Sequence, residues 1–259
     1  MKQTKLYFFS ITGAFCALLL FSCAKTFEEK ITPVTNFSDK SLAQVYIATV
    51  SAARNYVYVD GKAVTGTAMS SGSVFPSTGY TFNVSGGIRS FLIRDTLATS
   101  TQVPLVFAQN MQVSKQYTIF AYDTITTPKQ VTVPANIVIP SDTTARIRFA
   151  NFVYNPTALT GFDIFSVKRN ANVFTNVQVT QVTDFIPYAS GVTDTFYIRP
   201  TGSPTNLQNY RTSPAGYLDI LAILTPTAKR SYTLVFRGGY RSIITTAASV
   251  RTLSTFANY

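Results

Sequence analysis

The sequence predicts an all-β protein whose folded part is two tandem antiparallel β-sandwich domains. Three observations carry this. Short segments rich in Val, Ile, Tyr, Phe and Thr recur along the chain, separated by Gly, Pro, Asn or Ser, a spacing that belongs to sandwiches and barrels. Aromatic residues make up 14% of the chain and charged residues only 13%, about half the usual charged share, which suits half-buried sheets with neutral polar faces. The segments also repeat in order along the chain. Outside the N-terminal run no sustained 3.6-residue period appears.

The chain opens with Lys2 and Lys5, followed by an apolar run from Leu6 to Phe21. A positive n-region before an apolar h-region is the layout of a secretory signal, and the run is short for a bilayer span. It stops at Leu20-Phe21-Ser22-Cys23, which resembles the lipobox of bacterial lipoproteins, with Phe21 standing where a small residue is usual. Residues 1–22 are therefore expected to be a cleaved lipoprotein signal peptide and Cys23 the lipidation site. Two or three acyl chains there would anchor the protein to a membrane, since each buried CH₂ contributes roughly 0.8 kcal/mol. Residues 23–41 read as a tether. Its Lys25, Glu28 and Glu29 look like the surface-export signals of some Gram-negative lipoproteins, and equally like an ordinary polar linker.

Removal of residues 1–22 leaves 237 of the 259 residues, enough for two domains of about 100 residues each. Cys16 lies in the signal and Cys23 carries lipid, so the folded part has no cysteine for disulfides or for a Cys-based zinc site. The formal charge of +11 could suit an anionic partner. However, the arginines, among them Arg89, Arg94, Arg146, Arg148, Arg199 and Arg251, are scattered singly. They read as solvated sheet faces, and no nucleic-acid partner is expected.

The predicted strands are 43–50, 56–60, 80–84, 88–94, 104–107, 117–123 and 131–139, then 145–153, 162–167, 173–179, 183–188, 194–199, 217–223, 231–236 and 242–246. They divide into a first domain, 42–140, and a second, 141–259. Ala43–Ala48 parallels Ala145–Ala150, Ser85–Arg94 parallels Ser190–Arg199, and Tyr117–Ile119 parallels Tyr232–Leu234, with the offset growing from 102 through 105 to 115. Alternation puts Phe91 and Ile93, with Phe196 and Ile198, on core faces and the neighbouring Arg94 and Arg199 in water. Asp60-Gly61 reads as a turn.

These residues carry a resemblance. Tyr56-Val57-Tyr58-Val59-Asp60-Gly61, Ala150-Asn151 with Asn155-Pro156, the Ser-Gly strands and the Tyr-Thr-Ile/Leu strands resemble a bacterial family defined as domain of unknown function 4397. Its members are often lipoproteins and often carry the domain twice. The likeness covers about 41–127 and 145–240. It departs in the first copy, where Ala48-Thr49 and Ser51-Ala52 replace the Asn-Pro element. The resemblance implies immunoglobulin-like β-sandwiches, and no catalytic residues are established for the family.

The chemistry in the chain is sparse. There is no His, which removes the commonest general base and metal ligand. Gly-x-Ser-x-Gly is absent, as is Ser-x-x-Lys from the folded part, and no Asp-x-Asp offers a calcium loop. Asp60, Asp95, Asp123 and Asp142 sit at turns and strand ends, where turn chemistry accounts for them. No catalytic, cofactor or metal residue is expected. Asp95-Thr96, Asp123-Thr124 and Asp142-Thr143 resemble the O-glycosylation sites of some Gram-negative secretory proteins, which makes Thr96, Thr124 and Thr143 candidate acceptors. The expectation is an exported outer-membrane lipoprotein, surface-exposed or not, serving as a non-enzymatic binding or adhesion module with a protein or glycan partner. The alternative is a structural or accessory subunit of an envelope complex, glycan-handling complexes included, and an unusual hydrolase ranks last.

Overall fold

The structure, a computed structural model, describes residues 38–259 except 78 and 138. The expected signal peptide, Cys23 and most of the tether lie outside the described residues. The rest is all β, with no helix among the described residues.

In the first half, β1 (Lys40–Ile47), β4 (Val74–Phe75), β5 (Phe82–Ser85), β8 (Gln116–Tyr122) and β9 (Lys129–Pro134) form one sheet. In it β4 and β5 share one edge of β1, and β8 and β9 follow on the other. A second sheet runs β3 (Lys62–Ala63), β2 (Asn55–Val59), β6 (Gly87–Asp95), β7 (Leu105–Met111). Ala43, Val45, Ile119, Val57, Phe91, Ile93 and Met111 fill the space between them. Asp60 and Gly61 both have positive φ, the geometry of a two-residue hairpin turn between β2 and β3.

The second half repeats this plan. One sheet runs β13 (Ile186–Tyr188), β10 (Ala145–Tyr154), β18 (Ser231–Gly239), β19 (Thr252–Ala257). The other runs β12 (Ala171–Val177), β11 (Phe162–Ser166), β14 (Asp194–Pro200), β17 (Leu221–Leu224), and a hairpin of β15 (Gln208–Thr212) and β16 (Ala215–Asp219) is added. Phe149, Phe162, Ile164, Phe196, Ile198, Leu234 and Phe236 pack between these sheets. Pairing is antiparallel throughout except β1 with β8 and β10 with β18, which are parallel. Each parallel pair joins the first strand of a half to a late one. The arrangement is consistent with an immunoglobulin-like sandwich, as is a shared detail. The Tyr117 hydroxyl accepts the backbone N–H of Gln112 and the Tyr232 hydroxyl that of Thr227, each five residues upstream, a tie akin to the tyrosine corner of such folds.

The sheets of β1 and β10 also pack on each other. Tyr46, Ala48, Phe120, Ala150, Phe152, Val235 and Phe256 form an apolar layer between them, with ring centroids 4.7 Å apart for Phe120–Phe152 and 5.1 Å for Tyr46–Phe256. The order is thus outer, inner, inner, outer sheet. Residues 38–259 form one compact unit. The inner strands are covered on both faces, so β1, β8, β10 and β18 show runs of buried residues rather than alternation, while the outer strands β6 and β14 alternate over their central residues.

Phe91 and Phe196 are 0% exposed, and both pair with strands at matching registers, Phe91 opposite Val59 and Phe196 opposite Ser166. Arg94 is exposed as expected. Arg199 is half-buried instead, its guanidinium 3.6 Å from the centre of the Phe165 ring. The equivalence drawn between Ala43–Ala48 and Ala145–Ala150 is two residues out. Tyr117 pairs with Ala43, but Tyr232 pairs with Ile147. The N–H of Leu42 donates to Lys115 and that of Arg146 to Arg230, both at 2.9 Å. Ala43 therefore matches Ile147, and Gln44 matches Arg148. The expected strand 242–246 is an irregular loop with one bridge, Ile244 to Tyr210. β18 is already flanked by β10 and β19, and the segment meets only β15, through that one bridge. β19 itself, with β3, β4 and β15, had not been expected.

Candidate functional site

Arg148 lies on β10, with its side chain on the face turned toward the first half. Because β10 belongs to an inner sheet, the residue is only 2% exposed, and Arg251, bonded to the carbonyls of Tyr240 and Gln208, is buried too, which corrects the assignment of both to solvated sheet faces. The Arg148 Nε donates to Thr233 Oγ1 and its Nη2 to Thr118 Oγ1, both at 2.9 Å. Its guanidinium carbon sits 4.6 Å from the centre of the Phe185 ring. Among the described residues no carboxylate lies within ion-pairing distance and Nη1 donates no hydrogen bond. Burial lowers the guanidinium pKa to about 9, while the charge of Asp184 acts in the opposite direction, so Arg148 stays cationic at neutral pH. A desolvated charge without a counter-ion is costly.

Arg148 lines a cleft of about 540 Å³ whose other walls include Val133, Pro134, Ala135, Arg146, Asp184 and Pro187. The cleft lies where the end of β9 passes the segment that leads into β13. That segment is held by a bridge from Val182 to Ala150 and by the N–H of Phe149 donating to Thr183 Oγ1 at 3.0 Å. Arg146 donates through Nη1 to Thr144 Oγ1 at 3.0 Å. Asp184 is exposed.

The matched position in the first half is closed. Gln44 takes the place of Arg148, and Asn258 that of Ala135: the N–H of Ala135 donates to Gln116 and that of Asn258 to Ser231, both at 2.8 Å. The Asn258 side chain donates to Gln44 Oε1 at 3.1 Å and to Thr118 Oγ1 at 3.3 Å, and it accepts from Thr233. All of these groups are fully buried. The two positions share Thr118 and Thr233: Asn258 bonds Gln44 on one side, and on the other Arg148 bonds both threonines and has no amide from Ala135 to meet it.

A second polar cluster is structural in character. Asp194 accepts from Ser166, from Tyr188 and from the N–H groups of Lys168 (2.8 Å) and Thr195 (2.7 Å). Burial alone would raise the Asp194 pKa, but these hydrogen bonds together outweigh it and hold the pKa below the ordinary value. The Tyr188 hydroxyl is pushed up to about 12, first by burial and then by Asp194. Ser166, Tyr188 and Asp194 are each at most 3% exposed and their polar groups satisfy one another. Among the described residues no three His, Cys, Asp or Glu converge as metal ligands.

Of the residues singled out in the sequence, Cys23 lies outside the described residues. Thr96 follows β6 and Thr143 precedes β10, and both are exposed. Thr124 is half-buried and its hydroxyl is engaged with those of Thr126 (3.0 Å) and Thr127 (2.8 Å). The structure does not bring the three together. Arg148 was overlooked as a site residue. The near-unbroken apolar run from Ile147 to Tyr154 was the available signal, since such runs mark strands covered on both faces. No family model matches the chain, and no curated protein matches it.

Proposed function

We propose that this chain is an exported lipoprotein, held in the outer membrane through lipid on Cys23, whose folded part is a non-enzymatic binding module of the cell envelope. In this reading the chain carries two copies of domain of unknown function 4397, over about 41–127 and 145–240, within domains 42–140 and 141–259. The observation that carries it is the cleft at Arg148, a recess between the halves walled by Arg146 and Arg148, and among the described residues no three His, Cys, Asp or Glu converge as metal ligands. The run ending at Cys23 supports the anchor. O-glycans at Thr96, Thr124 and Thr143 belong to the same reading, with Thr96 and Thr143 the readier acceptors because both are exposed.

A second reading, an accessory subunit of an envelope complex, is favoured by apolar residues left open on the outer sheets, Ile88 at 75%, Val106 at 66% and Ile223 at 61% exposure. Cys23→Ala should abolish palmitate labelling and release the protein from membranes; a variant that still labels and sediments ends the lipoprotein reading. A glycan array and an envelope-protein pull-down with the full-length chain in detergent separate the two functions. Glycan or small-ligand capture that is lost on filling the cleft supports the binding module. Capture of a protein through Ile88 and Val106, lost on Val106→Lys, supports the accessory subunit.

A further inference from the structure

We infer that the cleft beside Arg148 binds a carboxylated sugar, a hexuronate residue of an acidic glycan. The inference rests on the reading above that this cleft is where the protein binds. The fork of Arg148 is held in place by Thr118 and Thr233 and backed by Phe185, so it needs no reordering to meet a ligand. A pre-oriented guanidinium in a desolvated recess is suited to a planar carboxylate, which it can grip through more than one N–H. Arg146, on the same face of the same strand, adds a second positive charge to the wall.

The matched site in the first half shows what a completed arrangement looks like. There Asn258 fills the recess and bonds Gln44. At Arg148 the corresponding residue is Ala135, which has no polar side-chain group to offer, and an arginine replaces the glutamine. The sequence has thus exchanged an amide facing a glutamine for an alanine beside a cation that lines a cleft, the change expected where the partner of the cation comes from outside.

The remaining walls narrow the ligand. Asp184 is exposed on the same cleft. Its charge opposes a phosphate dianion set against Arg148, whereas its oxygens can accept from hydroxyl groups, which an acidic peptide lacks. Val133, Pro134, Val182 and Pro187 offer C–H surface for one face of a sugar ring. A volume of about 540 Å³ falls within the range of small-ligand sites. One negative charge, several hydroxyls and an apolar ring face together describe a hexuronate better than a phosphate or an acidic peptide.

The test is titration calorimetry of the full-length chain in detergent with trigalacturonate, a neutral galactose trisaccharide, an Asp/Glu tripeptide and inorganic sulfate. Trigalacturonate should bind, and the other three should bind at least about tenfold more weakly, the scale of one charge-assisted hydrogen bond. Arg148→Gln should weaken trigalacturonate binding by roughly tenfold to a hundredfold. Ala135→Asn, which supplies the amide that Asn258 provides in the matched site, should block it while leaving Arg148 intact; this variant decides the matter if Arg148→Gln does not fold. No binding of trigalacturonate by the wild type overturns the inference, as does tripeptide or sulfate binding of equal strength. Neutral trisaccharide binding as tightly, and lost in Ala135→Asn, removes the carboxylate but keeps the cleft as the binding site. Trigalacturonate binding unchanged in both variants removes the cleft as well.

Discussion

The two halves use the same strand order, the same parallel pair and the same tyrosine tie, yet their interiors differ in chemistry. At the inner face the first half has Gln44 bonded by Asn258, where the second has Arg148 at a cleft beside Ala135. Between its own sheets the first half has Val59, Val84 and Arg89 at the positions that carry Ser166, Tyr188 and Asp194 in the second, as the pairings Val59–Phe91, Ser41–Val84 and Arg89–Gln109 against Ser166–Phe196, Ala145–Tyr188 and Asp194–Leu224 show. The backbone plan therefore does not depend on either solution. Hydrogen-bond ladders and an apolar stripe per strand are enough to set it, and individual interior positions are left to diverge toward packing, polar ties or a ligand.

The largest expected effect tests what the halves share. Phe91→Ala and Phe196→Ala should each cost about 3–5 kcal/mol in chemical denaturation of the full-length chain, a large part of a typical total of about 5–15 kcal/mol. The aromatic layer of Tyr46, Phe120, Phe152 and Phe256 couples the halves, so both variants should shift a single transition. Two separate transitions, each moved by only one variant, would show that the halves unfold independently.

Next comes a contrast inside the sandwiches. Asp194→Ala strips the acceptor from two hydroxyls and two backbone N–H groups and should cost about 3 kcal/mol. Its counterpart Arg89→Ala, whose guanidinium bonds Ser85, Gly86 and Asp60 near the surface, should cost no more than about 1 kcal/mol. The Asp194 network also predicts a pH response. The pKa of Asp194 is lower in the folded state than the usual value of about 3.9. Its contribution is therefore complete above the ordinary carboxylate range and is lost as pH falls through the lowered folded value. In Asp194→Asn that part of the acid-induced loss should vanish, read as a flatter stability-against-pH curve below about pH 4. An unchanged slope would mean that other carboxylates carry the acid sensitivity.

The smallest effect compares matched arginines on the outer sheets. Arg199 stacks on Phe165 and bonds Asn206 at 2.7 Å, so Arg199→Ala should cost about 1 kcal/mol. Arg94→Ala, exposed over Tyr58, should stay within about 0.5 kcal/mol. Equal losses in thermal denaturation would indicate that the stacking contributes nothing beyond what the exposed arginine does.

By itself the sequence determined the all-β class, the pairing of two halves, the Asp60-Gly61 turn and the core faces of Phe91, Ile93, Phe196 and Ile198. All of these follow from local rules: residues with period two, turn residues with positive φ, and apolar side chains seeking one face. Three things were decided only by tertiary structure. The match of β1 to β10 was misjudged by two residues, because a shift of two keeps every side chain on its face and leaves the pattern unchanged. The run 242–246 has the composition of a strand but makes one bridge to β15 and no ladder, and which distant strand a segment meets is not written in its own residues. Arg148 read as a surface residue because charge on a strand normally marks the solvent face. Its burial arises from the second inner sheet laid over the first, and that face-to-face packing joins residues as far apart as Thr118 and Thr233, whose proximity no local pattern along the chain encodes.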